Sequence, residues 1–230
     1  MTTLNRLEKK IGITFSNPEL LKQALVHRSY LNEHPDFELG HNERLEFLGD
    51  AVLELVVTEH LYNNYPNPEG ELTNWRASLV NSQMLATIAH KLGIEQFLYL
   101  SRGEAKDTNS KARDYILANA IEAIVGAAYL DAGYQKAKKF VTSHLLPELS
   151  AILTNHLYVD PKSKFQEIAQ ERLRVTPNYR VLEETGPDHN KKFEIGVYLD
   201  GELVAKGNGT SKQEAQLNAA AAALKAKNWR

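Results

Sequence analysis

Apolar residues in the first 150 positions recur every three or four places, the spacing of helices with one buried face. Asn17-Pro18-Glu19 supplies a cap and a proline at the first helical position, and Leu20, Leu21, Ala24 and Leu25 follow it. The pattern predicts a long helix from about Asn42 to Asn64 that stops before Pro66. It predicts further helices from about Gly70 to His90, Ala112 to Asp131 and Gln135 to Leu153. The polar stretches 32–40 and 103–111 predict loops, and no strand pattern competes in this part. The period changes near residue 155. Asp160-Pro161 opens a short helix on which Phe165, Ile168, Ala169 and Leu173 share a side. Three strand-like runs follow at 178–184, 192–199 and 202–208, and Asp200-Gly201 between the last two signals a hairpin. Ser211, with Glu214 three residues later, opens a last helix with a capping box. The alanine run 219–223 predicts close packing of that helix on the sheet. The chain therefore divides into an all-α domain at 1–153, a linker at 154–159 and a small α+β domain, ordered α-β-β-β-α, at 160–230.

Composition narrows the chemistry. At 43% apolar and 24% charged, 230 residues hold enough material for real cores. The absence of cysteine excludes disulfides, thiolate catalysis, zinc fingers and cysteine-bound iron–sulfur clusters. The apolar runs read as too short and interrupted to span a bilayer. The start, MTTLNRLEKK, lacks the apolar core of a secretory signal, so the expectation is a cytoplasmic protein with no membrane partner. The net charge of −2 hides a modest split, −4 over residues 1–155 and +2 over residues 156–230.

The most informative segment is Asn42-Glu43-Arg44-Leu45-Glu46-Phe47-Leu48-Gly49-Asp50. At about 100° per residue, Glu43, Glu46 and Asp50 fall within an arc of about 60°. Leu45, Leu48, Val52 and Leu55 fall on the opposite side. Crowded carboxylates repel unless a cation neutralises them, and hard divalent ions such as Mg²⁺ prefer such oxygen-rich sites. Gly49 removes bulk beside the acids, and Phe47 projects near them rather than toward the core, where a second subunit would suit it. A matching pair, Asn119 and Glu122, lies three apart on the helix beginning near Ala112. Glu122 interrupts the apolar run 121–130, where a carboxylate is costly unless it pairs with an arginine or binds a metal. Small residues at Ala118, Ala123, Gly126 and Ala127 permit a close helix crossing. Glu69 and Glu71 stand at a helix start, where acids also complement the dipole. His34 and His41 read as ordinary loop residues, and there is no glycine-rich phosphate loop.

The segment from Asn42 to Asp50 resembles the signature of the ribonuclease III family. Further segments resemble the same family, namely Ala24 to Tyr30, Glu69 to Leu72, Arg76 to Val80, Ile116 to Gly126 and Tyr129 to Asp131. The terminal α-β-β-β-α unit is similar to a double-stranded-RNA-binding domain. The resemblance implies an endonuclease that hydrolyses phosphodiesters in double-stranded RNA, ribosomal and other structured RNA included. It implies a homodimer with one site per subunit, Mg²⁺ as cofactor with Mn²⁺ as the alternative ion, and no organic cofactor. By position it assigns catalysis to Asp50 and Glu122, and metal ligation to Glu46, Asp50, Asn119 and Glu122. Glu43 and Glu69 become auxiliary acids, and Phe47 packs across the dimer. One departure stands out: the family usually has Asp where this chain has Asn119, which keeps a ligating carbonyl but loses a charge. A noncatalytic RNA-binding protein, its site weakened by Asn119, is the alternative.

In the smaller domain the resemblance implies that Gln166 and His189 enter minor grooves of the RNA. Ser211 and Lys212, at the start of the last helix, would hold phosphates across the intervening major groove. The family's second lysine there is Gln213, so affinity and salt dependence are expected to be lower, with Lys162, Lys164, Lys191 and Lys192 in part compensating.

Overall fold

The computed structural model describes residues 3–107, 110–156, 158, 160–187 and 191–229. The chain packs as two compact units, Met1–Tyr158 and Val159–Arg230.

The first unit contains ten α-helices among the described residues. They are α1 (Thr3–Ile11), α2 (Pro18–Ala24), α3 (Arg28–Glu33), α4 (Glu43–Asn64), α5 (Glu69–Val80), α6 (Ser82–Leu92), α7 (Arg102–Lys106), α8 (Lys111–Ala132), α9 (Tyr134–His144) and α10 (Glu148–Thr154). Helix α8 forms the axis of this unit. It packs against α2, α4, α6 and α9, and nearly all its aliphatic residues are buried. By length and composition α8 is long and apolar enough to cross a membrane, contrary to the expectation from run lengths, but most of it is buried within the protein.

Two expected helices are each divided. The segment from Gly70 to His90 breaks at Asn81, whose backbone is extended and whose side chain accepts the N–H of Met84 to cap α6. The segment from Gln135 to Leu153 breaks before Pro147, which ends the run of intrahelical donors and lets α10 start afresh. The supposed loop at 103–111 contains the short α7. Leu55 is a further correction: it is 57% exposed, on the Phe47 side of α4, not on the buried side.

The start of α4 is fixed from outside the helix. The side chain of Asn42 makes no cap; its Nδ2 donates to the carbonyl of Ala24 at 3.2 Å, and its backbone N–H donates to Val26 at 2.9 Å. Asp131 forms a second tie. Its buried carboxylate accepts the N–H groups of Ser16 and Asn17 and pairs with Lys136. Burial opposes its ionisation, yet Lys136 and the two N–H donors keep its pKa below the usual range.

The second unit has α11 (Pro161–Leu173), β1 (Asn178–Thr185), β2 (Lys192–Leu199), β3 (Glu202–Gly209) and α12 (Lys212–Ala226). The strands form an antiparallel sheet in the order β1-β2-β3. Asp200 and Gly201 both take positive φ, as the two-residue hairpin requires. Phe193, Ile195, Val197 and Leu199 line the inner face, against the buried alanines of α12 and Phe165 of α11. The alanines allow very close approach: a Cβ on Gly207 would lie 2.1 Å from the backbone N of Ala219. Leu173, expected to face inward with Phe165, is exposed.

Candidate active site

Helices α4 and α8 cross at a pair of glycines. A Cβ on Gly49 would lie 1.8 Å from the carbonyl oxygen of Glu122, and one on Gly126 would lie 2.2 Å from that of Leu45. The backbones therefore touch, and the crossing brings the acid stripe of α4 against the acid of α8. No arginine or lysine pairs with Glu122 among the described residues, so the buried-pair explanation for it falls away.

The electrostatics show that Glu46, Asp50 and Glu122 share one neighbourhood. Burial first, then the charges of Asp50 and Glu46, push the Glu122 carboxyl up to about 7. Glu46 is also raised, by burial and then by Glu43 and Asp50, while a hydrogen bond from Asn119 acts in the opposite direction. Because that bond favours the charged carboxylate, the Asn119 amide nitrogen is its donor. Asn119 thus does for Glu46 what an aspartate could not.

Glu43 is held differently. Arg28 Nη1 lies 3.5 Å from its Oε1, and His41 Nδ1 lies 3.7 Å from its Oε2. Neither residue is singled out as a site residue by the sequence, where His41 reads as a loop residue; only the turn between α2 and α3 brings Arg28 there. Glu69 begins α5, beside an open groove lined by Tyr62, Leu72 and Arg76. It is not among the charges acting on Glu46 or Glu122. Phe47 is 83% exposed and lies on the flank of α4, as the helical wheel placed it.

The donor set is all hard oxygen and carries excess negative charge, and among the described residues no cation pairs with Glu46, Asp50 or Glu122, which is the chemistry of a Mg²⁺ or Mn²⁺ site. Among the described residues no three carboxylates or imidazoles already surround one point at ligating distance. The acids feel one another without yet converging.

In the second unit, Gln166 is exposed on α11, and Ser211 and Lys212 are exposed at the start of α12, which packs on α11. Ser211 uses its hydroxyl oxygen as the N-cap, accepting the Glu214 N–H at 3.1 Å. Glu214 reaches back to the N–H of Thr210 at 2.8 Å, so the capping box closes one residue earlier than usual. Two lysines expected to compensate for Gln213 are engaged within the unit. Lys162 donates to Gln216 at 2.7 Å, and Lys191 pairs with Glu184 at 2.7 Å. His189 lies outside the described residues.

Comparison with known proteins agrees with this geometry. Residues 17–149 match the family model described as Ribonuclease-III-like, and residues 161–227 match the Double-stranded RNA binding motif. Ribonuclease 3 of Oceanobacillus iheyensis is 44% identical over 219 residues, which cover 95% of each chain. Ribonuclease 3 of Dehalococcoides mccartyi is 39% identical over 225 residues, 97% of this chain and 94% of that one. A solved nuclease domain of ribonuclease III from Campylobacter jejuni, described as having a flexible region involved in dimer formation, superposes with a TM-score of 0.55 at 36% identity, over 63% of this chain and 97% of that one. With a nuclease-type unit built on crossed acidic helices and an RNA-binding unit after it, this chain belongs to the ribonuclease III family.

Proposed function

We propose that this protein is a divalent-metal-dependent endoribonuclease that hydrolyses phosphodiesters in double-stranded RNA, ribosomal and other structured RNA among its substrates. The observation that carries the reading is the Gly49–Gly126 crossing, which sets Glu46 and Asp50 within electrostatic reach of Glu122, with no cation paired to Glu122 among the described residues. Glu46, Asp50 and Glu122, with the side-chain carbonyl of Asn119, would hold Mg²⁺ or Mn²⁺. An ion held there would supply activation of water and neutralisation of charge on the phosphate. The residues supply the rest. Burial keeps Glu122 in a weakly solvated setting, where its charge acts strongly on whatever cation arrives. Asn119 offsets part of the burial and repulsion that disfavour the charge on Glu46. In the second unit, Gln166, Lys212 and His189 are the RNA contacts this reading assigns. The chemistry needs no organic cofactor, and the reading places the protein in the cytoplasm.

The test incubates the full chain with labelled duplex RNA, single-stranded RNA or duplex DNA, in Mg²⁺ or in EDTA. Cutting of duplex RNA alone, in Mg²⁺ alone, is expected, and Asp50→Asn abolishes it. Asn119→Asp adds a charge next to Glu46 and lowers the Mg²⁺ concentration for half-maximal cutting on the order of tenfold. An unchanged Mg²⁺ midpoint would contradict the role given to Asn119.

The same reading makes the protein a homodimer, with Phe47 of each protomer packed on the other and one site per protomer, so that both RNA strands are cut. A phenylalanine this exposed beside Leu130, also exposed, marks an apolar surface that a second copy would cover. Burial of one phenylalanine contributes about 1.5–3 kcal/mol, and a two-fold interface counts it twice. Phe47→Asp is therefore expected to weaken association at least 100-fold and to yield monomers in sedimentation at micromolar concentration. A dimer that persists unchanged would show that Phe47 is not in the interface.

A further inference from the structure

The turn between α2 and α3 carries a cation to the edge of the acid cluster. Arg28 is the first residue of α3, and its Nη1 stands 3.5 Å from Glu43 Oε1. The segment around it is anchored on both sides. Asn42 ties Ala24 and Val26 to the start of α4, and Ser29 Oγ accepts the N–H of Ser101 at 3.1 Å. The guanidinium itself is open, with 71% of the side chain exposed, and Glu43 is its one ion-pair partner among the described residues. An arginine has five N–H donors in a planar fork, so a single contact at 3.5 Å leaves most of them available. Glu43 in turn acts directly on Glu46, which places the whole pair beside the proposed metal ligands.

Such a location has a specific electrostatic problem. The cluster must admit one phosphodiester while the neighbouring phosphates of the same strand approach carboxylates not covered by a metal. A cation beside the cluster relieves that repulsion. An exposed Arg–Glu pair is weak, so a phosphate, which an arginine can grip with two hydrogen bonds, displaces the carboxylate readily.

We propose that Arg28 positions the substrate by binding a backbone phosphate next to the scissile one, and that Glu43 serves to hold Arg28 in place rather than to serve the metal. This rests on the endoribonuclease reading and deepens it. Arg28 is a positioning residue: it touches the strand, not the reacting atoms.

The test measures kcat and KM on duplex RNA over a range of salt and Mg²⁺ concentrations. Cutting by the unmodified chain bears on the endoribonuclease reading; the ratios of the variants to it bear on this one. Duplex binding by the same variants is followed separately, by filter retention. Arg28→Ala is expected to raise KM about tenfold, with kcat changed no more than about twofold. It also reduces the slope of log affinity against log salt by about one for each Arg28 engaged. Arg28→Lys keeps the point charge and recovers part of the loss. Glu43→Gln shifts the Mg²⁺ midpoint no more than about twofold, through the loss of its charge near Glu46, and its effect on KM disappears in the Arg28→Ala background. The proposal is overturned if Arg28→Ala leaves KM and the salt slope as they were. It is equally overturned if Glu43→Gln raises the Mg²⁺ midpoint about tenfold or more in both backgrounds, since Glu43 would then act on the metal directly. Because Arg28 is exposed, thermal unfolding of its variants stays within a few degrees of the unmodified chain.

Discussion

Glu122→Gln is expected to eliminate RNA cutting and, with metal removed, to make the protein more stable above neutral pH. The loss of activity follows from the site: the charge stabilisation that a ligated metal supplies is several kcal/mol, so the rate falls about three orders of magnitude or more. The gain in stability follows from the carboxyl's position. Its pKa rises on folding from 4.5 to about 7, through burial first and then through Asp50 and Glu46. A carboxyl raised in this way favours the folded state fully below pH 4.5, and the favour is lost as pH climbs through about 7. At pH 8 the unmodified chain must hold a charge in a poorly solvated place, whereas glutamine holds none. With allowance for solvent screening of this partly exposed group, the variant gains about 1–2 kcal/mol at pH 8 and almost nothing at pH 5. Mg²⁺ reverses the order, because only the unmodified chain gains its full binding energy. Thermal unfolding at both pH values, in EDTA and in Mg²⁺, checks each part. A difference between the two proteins that is the same at pH 5 and pH 8 would sink the account.

Gly49→Ala is expected to damage fold and activity together. The new methyl would stand 1.8 Å from the Glu122 carbonyl oxygen, 2.6 Å from its carbon and 2.8 Å from the Gly126 nitrogen. All three are backbone atoms within a buried helix, so no side-chain rotation relieves the overlap. The helices must part, at about 3 kcal/mol or more, since overpacking against backbone lies at the upper end of its usual cost. Parting also separates Glu46 and Asp50 from Glu122, so cutting falls by at least 100-fold even where the protein still folds. Urea unfolding and single-turnover cleavage measure the two effects. A variant with the unfolding midpoint and rate of the parent would show that the crossing is looser than described.

Much of this architecture could be read from residue types. The long helix from Glu43 to Asn64 and strand β2 fall where periodicity and breakers put them, because Pro66 and Asp200-Gly201 are unambiguous punctuation. Asn81 was harder. It ends one helix and caps the next while the apolar spacing continues, so period alone joined what a single extended residue divides. The acid stripe was legible because three carboxylates within a narrow arc are a property of one helix. Glu122 was legible because it interrupts an apolar run. What could not be read were contacts between segments distant in sequence: the pairing of Arg28 with Glu43, the hydrogen bond from Asn119 to Glu46, and the outward turn of Leu55. Each depends on how helices are placed against one another, which no local pattern encodes.

The Asp131 carboxylate joins partners 115 and 114 residues away, Ser16 and Asn17, near opposite ends of the helical unit. Closing so long a stretch of chain has an entropic cost that more local pairings avoid. The clasp therefore fastens the segment before α2 to the far end of α8, and the closed stretch takes in every helix from α2 to α8. Cutting the chain anywhere between those ends would turn an intramolecular tie into an association of two fragments.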